Sequence, residues 1–174
     1  MENKVLVAYA TVHGSTQEIA GVIAETMRSQ GLEVDVLPAR NVRSLENYSA
    51  VVLGAPLYMF RWHKEAKQFL NRLRGAITQG IPVAIFAGGP FGESKEEGIQ
   101  QVRKNLDSEV GKFTWLTPIS VELVGGRFDP AALRFPYNLI PAMKQLPPSD
   151  LRDWDAIRAW ATGLIEKIRE NQSA

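Results

Sequence analysis

Between an apolar run and a helical pattern stand Thr11, Val12, His13, Gly14, Ser15 and Thr16, in the context KVLVAYA-TVHGST-QEIAGVIAE. The chemistry available there is anion binding. A helix N-terminus presents unpaired N–H groups and the positive end of its dipole, and the two together suit a phosphate. Gly14 lets the backbone fold close around the anion. Thr11, Ser15 and Thr16 add hydroxyl donors, and His13 adds an imidazole. The stretch holds no Lys or Arg, so its donors are neutral, which suits a monophosphate held deep against the protein. The plain alternative is a well-capped helix start, since Ser and Thr are favoured caps. A Walker-type loop is excluded, because no Gly-Lys-Ser/Thr occurs in the chain, and G-x-G-x-x-G is absent from this turn.

Further unusual loops follow other apolar runs. Pro56, Leu57, Tyr58, Met59, Phe60, Arg61 and Trp62 place three aromatics within five residues. Gly88, Gly89, Pro90, Phe91 and Gly92 offer three glycines that allow close approach to a flat ligand. Gly125, Gly126, Arg127 and Phe128 follow a further run. Aromatic side chains at the mouth of a crevice suit a planar ring system. Core packing or a simple turn is the alternative for each loop alone, and it is favoured for Trp62 and Phe91.

These loops need a scaffold, and the pattern supplies one. Val5 to Ala10, Ala50 to Ala55 and Pro82 to Ala87 are near-continuous apolar runs, as in parallel strands covered on both faces. Leu32, Val34 and Val36 alternate with acidic residues, which predicts an edge strand, and Ile119 to Val124 is the fifth. Helices are predicted over Gln17 to Gln30, stopped by Gly31, and over Lys64 to Gln79. Another carries Ile99, Val102, Leu106 and Val110, and the last runs from Asp153 to Arg169. Ser15 with Glu18, and Ser94 with Glu97, have capping-box spacing. The expectation is an α/β fold with a parallel sheet. In such sheets ligands sit at the carboxyl ends of the strands, where strand order reverses.

The chain has 174 residues, which predicts a single domain over 1–174 with one long insertion-like loop at about 125–152. That loop is proline-rich and apolar, and loops of such length are functional or hold structure of their own. There is no cysteine, which excludes disulfides, iron–sulfur ligation and thiol catalysis, and two histidines make a His-rich metal site unexpected. A net charge of +1 gives no strong field for nucleic acid. No apolar run reaches a bilayer-spanning length and no signal peptide is read, so a cytoplasmic protein is expected, with peripheral contact at the inner face of the membrane as an alternative.

The stretch TVHGST resembles the flavodoxin phosphate loop, T/S-x-T-G-x-T, with His13 in place of the central Thr. The GAPLY and GGPFG loops are similar to that family's remaining cofactor loops. The resemblance implies a three-layer flavodoxin-like fold, a five-stranded parallel sheet in order 2-1-3-4-5 with helices on both faces, and FMN as cofactor. The FMN phosphate would lie on Thr11 to Thr16, and the isoalloxazine ring between Pro56 to Phe60 and Gly88 to Gly92. A phosphate beside His13 should favour its protonated form.

The match is closer to the menaquinone-dependent protoporphyrinogen dehydrogenases, flavodoxin-like proteins with an extra segment before the last helix. The function expected is an FMN-dependent oxidoreductase with a small-molecule redox substrate or quinone, and with porphyrinogen as the candidate. The alternative is a flavodoxin-type electron carrier, but its usual strong acidity is missing, with 20 basic and 19 acidic residues. A decayed site without catalysis is the third reading. No residue stands out as a catalytic acid or base; His63, Arg61 and Arg127 are the polar groups nominated near the ring. His63 reads more simply as a helix start. The apolar segment 128–147 could cover the flavin edge, touch a membrane, or form a homodimer interface.

Overall fold

The computed structural model describes residues 4–89 and 95–173. Its centre is strand β1 (Lys4–Tyr9), which pairs in parallel with β2 (Glu33–Pro38) on one side and β3 (Ala50–Tyr58) on the other. Beyond β3 come β5 (Val83–Gly88) and β6 (Ser120–Leu123), both parallel to it. The short β4 (Arg61–Trp62) folds back antiparallel on the end of β3. The order is therefore β2-β1-β3-β5-β6, which is 2-1-3-4-5 when the long parallel strands alone are numbered.

Helices α1 (Ser15–Ser29) and α5 (Trp154–Ser173) cover one face, and α2 (Lys64–Thr78) and α3 (Glu96–Gly111) cover the other. Alternation along the strands feeds both layers. Val5 and Val7 join Ile19, Ile23, Ile157 and Leu164 on the first face. Leu6 and Ala8 join Phe69, Leu70, Leu106 and Val110 on the second. Burial on both sides is why these strands read as continuous apolar runs rather than alternating ones. β2 stands at the edge, as its acidic alternation predicts, and its Glu33 is exposed.

The predicted α1 stop at Gly31 is present, with φ of 86°. The capping box at Ser15 and Glu18 is not. Gly14 is the N-cap, in the left-handed region at φ 87°, and no side chain caps the helix. Ser15 is thus already helical, and Glu18 is turned to another partner described below. Ser94 lies outside the described residues; α3 begins after Lys95 as N-cap, with no side-chain cap. Of its predicted apolar face, Leu106 and Val110 are buried, whereas Ile99 is exposed.

The segment after β6 holds structure of its own. β7 (Arg127–Phe128) and β8 (Ser149–Asp150) pair antiparallel at its two feet. Two single-turn 3-10 segments and the short α4 (Pro141–Lys144) fill the span between them.

One contact in the sheet interior permits no side chain. A Cβ on Gly54 of β3 would stand 1.9 Å from Cζ of Phe86, whose ring crosses from β5 and meets Trp160 edge-on. Gly54→Ala is expected to lower stability by about 1–3 kcal/mol or more, as overpacking of a filled core does. Urea denaturation read by tryptophan fluorescence checks it.

Candidate functional site

The carboxyl ends of β1, β3 and β5 open on one crevice. Thr11, Val12, His13, Ser15 and Thr16 line it together with Pro56, Tyr58 and Gly88. Three of the predicted loops therefore converge. Gly14 donates its N–H to Thr11 Oγ1 at 2.8 Å, which leaves the Thr11 hydroxyl proton free to point outward. The first helical bond is Glu18 N–H to the Gly14 carbonyl, at 3.1 Å. The N–H groups of Ser15, Thr16 and Gln17 precede it and face the helix end. A Cβ on Gly88 would reach Pro56 Cα, the Gly125 carbonyl and Thr16 Oγ1 within 3.6–3.9 Å, so the bare backbone keeps this cradle open. His13 Nδ1 is buried and bonded to no protein atom. An N-terminal helix turn, hydroxyls and an orphaned imidazole nitrogen are a donor set that fits a phosphate monoester.

The second loop is a tight hairpin. Leu57 turns its side chain into the core, while Met59 and Phe60 form the turn and are 73% and 66% exposed. Arg61 is exposed on β4. His63 is the N-cap of α2 and accepts from Glu65 N–H through Nδ1 at 3.3 Å, which is the plain reading of that residue. Gly89, just past the end of β5, donates to the Gly125 carbonyl at 3.1 Å. Pro90, Phe91 and Gly92 lie outside the described residues.

The insertion closes over the hairpin and makes a cavity of about 450 Å³. Its walls include His13, Tyr58, Arg127, Leu133, Tyr137 and Met143. Of the three polar groups nominated from the sequence, this cavity takes Arg127 alone. Tyr137 stacks on Tyr58 with centroids 6.0 Å apart and planes 26° from parallel, and His13 meets Tyr58 edge-on at 6.3 Å. Burial, with Tyr137 second, pushes the Tyr58 phenol up to about 12, so it stays protonated. Sequence reasoning missed Tyr137, because one aromatic in a proline-rich stretch has no periodicity to reveal its contact.

Ion pairs anchor the insertion at both feet. Arg152 lies after β8 with its side chain 5% exposed; its guanidinium grips Asp150 in a fork at 2.8 and 2.6 Å and stacks 4.6 Å from the Trp154 ring. It also donates to Glu18 Oε2, while Arg127 stands 3.7 Å from Glu18 Oε1. One carboxylate in the first turn of α1 thus joins the phosphate-type loop to the insertion. This is the partner that takes Glu18 away from a capping box.

His13 is held below the usual imidazole range, first by burial and then by the Arg134 guanidinium. Burial lowers His63 as well. In the chain without an anion, both side chains therefore favour the neutral form, because desolvation opposes the imidazolium that a phosphate would favour.

The fold and crevice define a class: a three-layer α/β protein with its crevice at a topological switch point, where ligands of such sheets bind. A family model described as flavodoxin domain matches residues 6–139, and the chain belongs to that family. It is similar to protoporphyrinogen IX dehydrogenase [quinone] of Escherichia coli strain K12, at 30% identity over 135 residues, 76% of this chain and 71% of that protein. It is 23% identical over 127 residues to probable flavodoxin 1 of Bacillus subtilis strain 168, covering 69% of this chain and 78% of the other. Among solved structures, a flavodoxin from the domain Archaea shares the fold with a TM-score of 0.56 and 16% identity, over 95% of this chain and 99% of that one. Membership makes this a flavodoxin-like flavoprotein of the redox type, and FMN is the cofactor that it indicates. No helix among the described residues is long and apolar enough to cross a membrane. No cluster of His, Asp and Glu among them could hold a metal ion.

Two outcomes follow from this geometry. An imidazole whose folded pKa is lowered contributes stability that is complete above the ordinary value of 6.5 and is lost as pH falls below it. The melting temperature without flavin is expected to fall from about pH 7 to about pH 5, and His13→Gln should flatten part of that slope. Separately, Arg152→Ala should make the span 129–148 a site of early proteolytic cleavage while the sheet stays intact. Limited proteolysis with mass mapping checks this.

Proposed function

We propose that this chain is an FMN-dependent oxidoreductase that acts on a largely apolar, carboxylate-bearing small molecule in the cavity under the insertion. The substrate assigned is of the protoporphyrinogen type and the acceptor is a quinone. One observation carries the reading: the cavity of about 450 Å³ stands directly against Tyr58 and His13, at the edge of the loops assigned to the flavin. The insertion roofs this space, which favours a small-molecule substrate over direct docking of a protein partner on the ring. The relative whose name specifies protoporphyrinogen IX and quinone supports the assignment at 30% identity.

Thr11, Val12, His13, Gly14, Ser15 and Thr16 are assigned to the phosphate, through the helix N–H groups and hydroxyls. Pro56, Leu57, Tyr58, Met59 and Phe60 are assigned to one side of the ring, and Gly88 to Gly92 to the other. When bound, FMN supplies the redox chemistry, and the protein's share is position, shelter and electrostatics. Tyr58 and Tyr137 offer apolar aromatic surface to the substrate. Arg127, at the polar side of the cavity, suits a carboxylate on that substrate. The closed insertion keeps water from the reacting edge.

Phe135 and Leu139 are 78% and 67% exposed on this segment. We assign that apolar surface to the membrane boundary from which an apolar quinone is drawn; flotation with liposomes tests it, and self-association on size exclusion would give the surface to a second copy instead.

The decisive test starts with the absorption spectrum of the purified chain and identification of released flavin. The FMN-loaded protein is expected to be reduced by protoporphyrinogen and reoxidised by a quinone. Tyr137→Ala is expected to raise the KM for the small substrate roughly three- to tenfold, the scale of one aromatic contact, with FMN affinity unchanged. Electron exchange with protein partners, without any reaction with porphyrinogen or quinone, would select the carrier reading.

A further inference from the structure

Glu109 has no role in the chemistry above, yet it is a carboxylate that is only 4% exposed. It lies on α3 in one stripe with the core residues Leu106 and Val110. A charge so placed persists only where donors meet it. Its Oε2 accepts from Lys67 Nζ at 3.1 Å and from the backbone N–H of Trp62 at 3.1 Å, and its Oε1 accepts from Lys112 Nζ. Burial pushes its pKa up, but the bonds from Lys112, Lys67 and Trp62 outweigh that, and the carboxyl is held below its usual range.

The Trp62 bond is the informative one. Trp62 ends the hairpin that carries Tyr58, and it pairs with Leu57 while Arg61 pairs with Tyr58. The turn between them is Met59 and Phe60, with φ of 45° and 65°. Bulky side chains avoid that region, and two-residue turns with both φ positive ordinarily take Asn-Gly. Both side chains are largely exposed, so packing does not hold them there. The turn is strained, and its fixation comes from outside it: the Trp62 indole buried in the core, and Glu109 on the Trp62 N–H.

We infer that Glu109 is a positioning residue for the flavin-ring loop, holding the strained Met59–Phe60 turn, and Tyr58 with it, through the backbone N–H of Trp62. This rests on the assignment of that loop to the ring. If the carboxylate served only to pair two lysines, its loss would change stability and leave the loop and flavin as they are.

The test uses the full chain. Glu109→Met removes charge and acceptor with an apolar side chain of similar length, and the partly exposed lysines can return to water. Glu109→Gln keeps an acceptor for Trp62. Ile168→Val, in the other core layer, serves as a stability control. Amide exchange across 57–63 is read without flavin; FMN affinity and flavin midpoint potential are read with it. Glu109→Met is expected to speed exchange across 57–63 and weaken FMN binding about tenfold, the scale of one charge-assisted hydrogen bond, and to shift the potential. Glu109→Gln should retain most of both. Adding Met59→Asn and Phe60→Gly to Glu109→Met should restore slow exchange, because the turn then needs no outside hold. Ile168→Val should change neither loop exchange nor FMN binding.

Unchanged exchange across 57–63 in Glu109→Met overturns the inference. Faster exchange with wild-type affinity and potential overturns its flavin part. Failure of the unaltered chain to bind FMN would instead overturn the assignment of the loop to the ring, and would be visible before any variant is compared.

Discussion

The reversal of strand order around β1 is the constraint on which the rest of the molecule depends. The chain leaves β1 for β2 on one side, then crosses to β3 on the other. The helix after β1 consequently packs on one face of the sheet, and the helices after β3 and β5 pack on the opposite face. Between them the ends of β1 and β3 have no helix to cover them. The backbone donors at the start of α1 and the hairpin after β3 face each other across that gap. Every feature of the site is a way of lining, narrowing or roofing it.

The roof is held by charge more than by core packing. The insertion is poor in fully buried side chains, and its feet are fixed by Arg152, Asp150, Arg127 and the carboxylate of Glu18. The strands below are held by two continuous apolar layers. Those layers answer to the hydrophobic effect, whereas partly exposed ion pairs weaken with salt. The crevice thus lies between a floor held by two apolar layers and a cover held largely by ion pairs.

Much of the floor was legible in the residues. Val5 to Ala10 and Ala50 to Ala55 are apolar without alternation because both faces are covered, and order 2-1-3-4-5 follows the resemblance of TVHGST and its companion loops. Thr11 and Thr16 line the crevice at the end of β1, beside the N-cap Gly14. What stayed hidden depends on residues far apart in the chain. Glu18 has the spacing of a capping box, and only its fold neighbour Arg152 reveals why it does not act as one. Tyr137 finds Tyr58 from a segment with no period, and β4 is two residues long. Glu109 did leave a trace: it falls at a core position between Leu106 and Val110, where a carboxylate requires a reason.

The feet of the insertion pair with each other through β7 and β8, and Gly125 permits that closure. A Cβ there would stand 2.2 Å from the Leu151 carbonyl oxygen. The segment therefore departs from the sheet and returns to it at nearly one place. Its length and composition can drift without moving any strand. A change between β7 and β8 then reaches the crevice only through the side chains that the segment lays against Tyr58, His13 and Glu18.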